Sequence, residues 1–377
     1  MNLFAARSLL GVKQRAHLFL SVLVYAVTAF VALPTESKAL GVDETARVLA
    51  GLERSVPAGV PLSEGVLGDY ARGAARYWAD YERRIGGPMQ NWARSELEQP
   101  RAATIFYPFS GPDFATVYRL YPHAARYVLV ALQRAQPPPA LDTASAAEVE
   151  EFLARFGESW KQFAQIGFFR TLDLDDDAKQ PGIRAGATAP LIAFAARYGF
   201  KILSVQPVRV NAAGTNLEVH PGRRAHAATW ASVRISLERE GRKVVLDYVR
   251  VNLADGSLQA HPAVRAWIER MAGNHTVLKA ASHLLQDPRF VIMRDALLAR
   301  APAIVQDETG IEYTRLTRVF KVRLYGRFSK PHPLFNQESQ RALAQAYANG
   351  TGIKPLPFRV SYQRLPEANL QVAVRAH

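Results

Sequence analysis

The spacing of apolar positions along the chain changes character near residue 100. Behind Asp43, "ETARVLAGLERSV" sets Val48, Leu49, Leu52 and Val56 at helical intervals. A second helical pattern covers about 65–84, and a third, "MQNWARSELEQ", runs over 89–99 after Gly86-Gly87-Pro88. The pattern then becomes mixed. "ATIFYPF" (103–109) predicts a buried strand, "DFATVYRLY" a short helix, and "ARYVLVALQ" (125–133) a strand whose unbroken apolar run suits cover on both faces. Ser145 and Glu148 form a capping box for a helix to about 165. A further helix over 187–199 ends at Gly199, and "FKILSVQPVRV" follows as a strand.

From 229 to 253 two alternating runs flank Glu240-Gly241-Arg242 as a hairpin. Helical runs are predicted at about 260–272, 274–286 and 288–300. Strands are predicted at "AIVQD", along "YTRLTRVFKVRLYG" and at "LQVAVRA". The expected fold class is α/β or α+β: a mixed sheet with flanking helices and a helical N-terminal region. The division is a leading segment 1–39, a helical region 40–100 and a mixed body 101–377, the last two either separate or one domain.

The leading segment reads as a secretory signal. Arg7, Lys13 and Arg15 precede the uncharged run Leu18 to Leu33, and Ser37 and Ala39 put small residues around a cleavage site. The run is shorter than the ~20 apolar residues of a membrane anchor, and nothing later is long enough to span. A periplasmic or secreted protein without a membrane span is expected. The chain has no Cys, so no disulfide supports it. Net charge is +14, and about +11 once the four Lys/Arg and one Glu of residues 1–39 are removed. Such a charge suits an anionic envelope partner. Apart from Arg223-Arg224 there is no dense basic block, and no specific nucleic-acid motif is present.

The segments "YPFSGPD" followed by "YPHAARYVLVAL", and "LKAASHLL" followed by "VQDETGIEY" and "LYGRF", resemble a family of uncharacterised exported bacterial proteins. The resemblance implies export and a shared fold but supplies no activity. The chain departs from that family's pattern at Gln133, where the family carries an acid, and within Gln306 to Gly310.

Candidate chemistry centres on two glycine-bearing strand ends. Ser110-Gly111-Pro112-Asp113 could open a nucleotide-binding βαβ unit. However, only one glycine is present, Pro112 removes a backbone donor, and Gln133 stands where an acid would hold ribose. No cofactor is therefore expected. The plainer reading makes Ser110 the helix N-cap, Pro112 part of the first turn and Asp113 the acidic third residue. Asp307 and Glu308 mark the second strand end. Lys279 and Ser282, three apart on an expected helix, would share a face.

No metal site is expected. His275 and His283 lie too far apart, arginines separate His220 from His226, and Asp173–Asp177 fails the calcium-loop pattern. The candidate ligand-binding residues are Tyr107, Ser110, Asp113, His123, Lys279, Ser282 and Asp307. They suit an exported protein that binds an envelope ligand. An exported hydrolase acting through Asp113 or Asp307, or a structural protein binding anionic lipid or polysaccharide, are the alternatives. On the binding reading, Ala at Asp113 and Asp307 should abolish binding and leave the melting temperature nearly unchanged.

Overall fold

A computed structural model describes residues 39–101, 103–167, 183–184, 186–220, 230–335 and 340–376. The segment up to residue 38, where a signal was expected, the acidic run Asp173–Asp177, Arg223-Arg224 and His226 lie outside the described residues. One compact unit spans Lys38–His377. Its centre is a ten-stranded mixed sheet ordered β4-β3-β5-β6-β2-β1-β7-β8-β10-β9. In chain order the strands are β1 Thr104–Pro108, β2 Arg126–Ala131, β3 Lys201–Val210, β4 Leu217–Val219, β5 Val233–Arg239, β6 Arg242–Arg250, β7 His275–Leu278, β8 Ala303–Gln306, β9 Phe320–Gly326 and β10 Asn369–Arg375.

Five adjacent strands, β6-β2-β1-β7-β8, are parallel. Counted among themselves they run 3-2-1-4-5, the order of a doubly wound sheet, and the direction of winding reverses between β1 and β7. Antiparallel strands extend both edges: β5 and β3 beyond β6, and β10 then β9 beyond β8. The β5–β6 turn places Glu240 and Gly241 both at positive φ, 53° and 72°, which matches the twist of a two-residue hairpin.

Strand alternation feeds two cores. Ile105, Tyr107, Tyr127 and Leu129 point to one face, where α1 (Val42–Leu49), α2 (Glu64–Tyr81), α3 (Gly87–Glu96), α4 (Phe114–Leu120), α5 (Ala146–Ile166) and α6 (Thr188–Arg197) pack. Phe106, Val128 and Val130 point to the other, covered by α7 (Asp255–Ala260), α8 (Pro262–Met271) and α9 (Val291–Arg300). The first face is aromatic: Tyr81, Phe163 and Phe194 meet in sequence at tilted angles, with centroids 4.5 and 4.6 Å apart. The helical N-terminal region thus shares its core with the sheet. The Ser145–Glu148 capping box is present at the start of α5.

Three local expectations are corrected. Gly86-Gly87-Pro88 does not break the helix: a single π-helical turn, Glu82–Gly86, carries α2 into α3, and Pro88, which has no N–H to give, follows directly on that wider turn. Residues 274–286 are not a helix but β7, a loop and a 3₁₀ turn over Leu284–Gln286. Of the expected strand over 313–326, Tyr313–Leu316 is a helical turn, α10, and the strand begins at Phe320. The helix Arg341–Asn349, α11, had no counterpart in the sequence reading.

Gly326 ends β9 at φ 82°, and a β-carbon there would stand 2.0 Å from the Ala368 carbonyl oxygen. Gly326→Ala is therefore expected to cost at least about 2 kcal/mol, read as a lower urea midpoint. A loss under ~0.5 kcal/mol would contradict this close approach.

Candidate functional site

The parallel strands end on one edge, and the loops that leave β1, β2, β6 and β7 meet there around a cavity of about 120 Å³. Phe109 and Gly111 come from the β1 end, Leu132 and Gln133 from β2, Asn252 from β6, and Ala280 to Ser282 from β7; Phe290 closes one side. The Phe109 and Phe290 rings meet edge to face at 5.8 Å. Among the described residues no charged side chain lines the space.

The backbone around this cavity is strained. Among the described residues seven non-glycine residues have positive φ, and five of them, Phe109, Gln136, Ala280, Ser282 and His283, follow β1, β2 or β7. Such conformations cost about 1–3 kcal/mol each and persist only where surrounding contacts impose them. Phe109, Ala280 and Ser282, at 59°, 53° and 52°, line the cavity itself.

Two buried carboxylates impose the β7 loop. Lys279 follows Leu278, so alternation turns its side chain to the α4–α5 face. There its Nζ donates to Asp113 Oδ2 at 2.7 Å, Thr116 Oγ1 at 2.9 Å and the Gly167 carbonyl at 3.0 Å. Asp113 caps the N-terminus of α4, its Oδ1 accepting from the Thr116 N–H at 3.1 Å, and Gly167 ends α5 at φ 77°. The ion pair therefore sits with its anion at the head of one helix and its cation at the tail of another, the favourable sense for both dipoles. The Tyr107 hydroxyl donates to Asp113 Oδ2 at 3.0 Å. Burial, and then the Asp113 charge, push the Tyr107 phenol well above its usual range.

The second carboxylate grips the backbone. Asp307 Oδ2 accepts from the Ala280 N–H at 2.8 Å, while Oδ1 accepts from the Thr309 N–H at 2.8 Å and hydroxyl at 2.5 Å. Thr309 Oγ1 in turn accepts from the Ala281 N–H at 2.7 Å. The Ser282 hydroxyl lies 3.1 Å from that of Tyr362. Asp113, Lys279 and Asp307 are almost fully buried, at 2, 3 and 0% exposure, and none of them lines the cavity.

Of the expected site residues, Asp113, Lys279, Ser282, Asp307 and Tyr107 thus converge on the stretch 279–282 and its supports. Ser110 is near them but is not the cap. Its hydroxyl donates to the Gly111 carbonyl, and Asp113 is the N-cap with Pro112 ahead of it. Lys279 and Ser282 share a loop, not a helix face. His123 is exposed and precedes β2, at the opposite end of the sheet. The expectation that Ala at Asp113 or Asp307 would leave stability untouched is reversed, since each substitution would take an acceptor away from buried donors.

Sequence reasoning missed the cavity lining, Phe109, Leu132, Asn252 and Phe290, together with Gln286 and Gln340, whose amides donate to the Glu308 carbonyl. A nucleotide fits poorly. Pockets for such ligands span roughly 300–1,000 Å³, and the corner keeps the single glycine, the proline and Gln133 noted above. Among the described residues no group of three or more His, Asp or Glu is placed to hold a metal, and no helix is long and apolar enough to cross a membrane. Comparison with known proteins finds no matching family model, curated protein or solved structure.

Beside Asp307, Glu308 is buried; its Oε2 accepts from Asn369 Nδ2 at 2.8 Å, and Oε1 has no hydrogen-bond partner among the described residues. Burial, then the Asp307 charge, raise its pKa from 4.5 to about 8. The folded chain therefore holds a proton between these values that the unfolded chain releases. The contribution is fully present below pH 4.5 and is lost as pH rises, by up to about 1.4 kcal/mol per unit.

Two outcomes follow. Glu308→Gln should flatten the dependence of stability on pH between 5 and 8 and raise the melting temperature most at the alkaline end of that range. An unchanged pH profile would contradict a protonated Glu308. Lys279→Met and Asp113→Asn should each cost about 3–5 kcal/mol, while the Asp113→Asn/Lys279→Met double mutant should cost clearly less than the two losses added. Additive losses in a denaturant-based double-mutant cycle would show that the two groups act independently.

Proposed function

We propose that the protein is exported and binds a small molecule of the cell envelope in the crevice at the carboxyl ends of β1, β2, β6 and β7. In open parallel sheets, ligands sit outside the strand ends where the winding reverses. Here that point lies between β1 and β7. The observation that carries the reading is the concentration of imposed, positive-φ residues on the cavity wall, held by Asp307 and Thr309 from behind. Proteins retain such strain chiefly at functional sites. Export is supported by the charged and apolar pattern of residues 1–39 and by the resemblance of the YPFSGPD and QDETG segments to exported bacterial proteins.

Hydrolysis through Asp113 or Asp307 is the weaker reading, because both carboxylates are engaged with buried donors. A general base needs reach to a substrate proton, and neither residue borders the cavity.

Val251 lines the cavity, half-buried, and packs on the same face as Phe290, so Val251→Phe should fill it. A small-molecule extract of the cell envelope should raise the melting temperature of the wild-type chain and leave that of Val251→Phe unmoved. An equal rise in both proteins would place the ligand elsewhere.

A further inference from the structure

The lining constrains the kind of molecule the crevice can hold. An engineered apolar cavity of ~150 Å³ stays dry and binds benzene, so a space of about 120 Å³ accommodates one ring-sized group and little more. Two of its walls are aromatic, Phe109 and Phe290, set edge to face so that a third ring can complete the cluster. At its rim stands Leu132, one of five large apolar side chains exposed among the described residues, with 55% of its surface open. An apolar ligand would cover that surface.

Among the described residues the polar side chains of the lining are uncharged: Gln133, Asn252 and Ser282. The cation that follows β7, Lys279, is turned to the opposite side of the strand end and neutralised by Asp113. Arg250 donates from Nε to the Leu132 carbonyl at 2.8 Å but does not line the cavity. A charged group placed in this space would lose its hydration without meeting an opposite charge, the costly case. Amides and a hydroxyl at the rim suit a ligand that offers a neutral donor or acceptor beside its ring.

From this lining we infer that the crevice selects an uncharged molecule built on a single ring with one polar, non-ionised substituent; the inference rests on the crevice being the ligand site. It departs from the anionic partner that the net charge of +14 suggests, because the basic surface and the cavity lining are different parts of the molecule. A ring carrying an amide or hydroxyl meets both walls and rim. The same ring carrying a carboxylate or ammonium does not.

Ligand-observed NMR on the purified full chain, with benzamide, benzoate, benzylamine and acetamide as probes, tests this directly. Benzamide should bind, benzoate and benzylamine at least about tenfold more weakly, and acetamide not at all. Val251→Phe should abolish benzamide binding. Should Val251→Phe fold poorly, Leu132→Ser, at an exposed position, should weaken benzamide instead.

Benzoate or benzylamine binding as tightly as benzamide, with that binding lost in either variant, would overturn the neutral-ligand inference and leave the crevice as the site. Failure of every ring probe, while the envelope extract still stabilises wild type but not Val251→Phe, would overturn this inference alone. If the extract stabilises both proteins equally, the crevice reading itself fails.

Discussion

The ion pair between Lys279 and Asp113 is the constraint on which the arrangement at this end of the sheet depends. Neither group can be buried alone. A lone buried ammonium or carboxylate loses hydration worth far more than the net stability of a domain, and pairing with complete hydrogen bonding is what makes burial tolerable. Here the pair is completed by Thr116, Tyr107 and the Gly167 carbonyl. One lysine thereby fixes the end of β7 to the start of α4 and the end of α5, three elements far apart in the chain. A buried pair adds less stability than its Coulomb energy suggests. Its structural consequence is registry, since the end of β7 must sit where Lys279 meets Asp113, Thr116 and the Gly167 carbonyl together.

With Lys279 fixed on one side, Asp307 and Thr309 take the next two backbone amides from the other. Between them they force Ala280 and Ser282 into the left-handed region. The loop then presents small side chains and backbone to the space left by Phe109, Leu132 and Phe290. The doubly wound order supplies the crevice, and the two carboxylates supply its wall. The acids that look catalytic in the sequence act as positioning residues, and among the described residues the cavity they shape has no charged side chain in its lining.

Much of the fold was legible because long, strongly periodic segments leave little choice. The continuous apolar run at 125–133, the capping box at Ser145 and Glu148, and the Glu240-Gly241 hairpin all appear where local chemistry requires them. The stretch 274–286 was not legible, because Val277, Ala281, Leu284 and Leu285 fall at helical spacing by coincidence of a strand and a turn. The β-branched pair Thr276-Val277 after Gly273-Asn274 was the available signal for a strand. The candidate residues were found because their chemistry is conspicuous. Their partnership was not, since Lys279 and Asp113 lie 166 positions apart and only tertiary structure brings them together. His123 misled for the same reason, being close to the corner in sequence and at the far end of the sheet in space.

The account's central claim is that Asp307 holds the β7 loop against the cavity. Amide hydrogen exchange at Ala280 and Ala281 tests it most directly. Both amides should be strongly protected in the wild-type chain. In Asp307→Ala they should exchange orders of magnitude faster, while Val277 and Ile304, inside their strands, keep their protection. Rapid exchange at Ala280 and Ala281 in the wild-type chain would contradict the account.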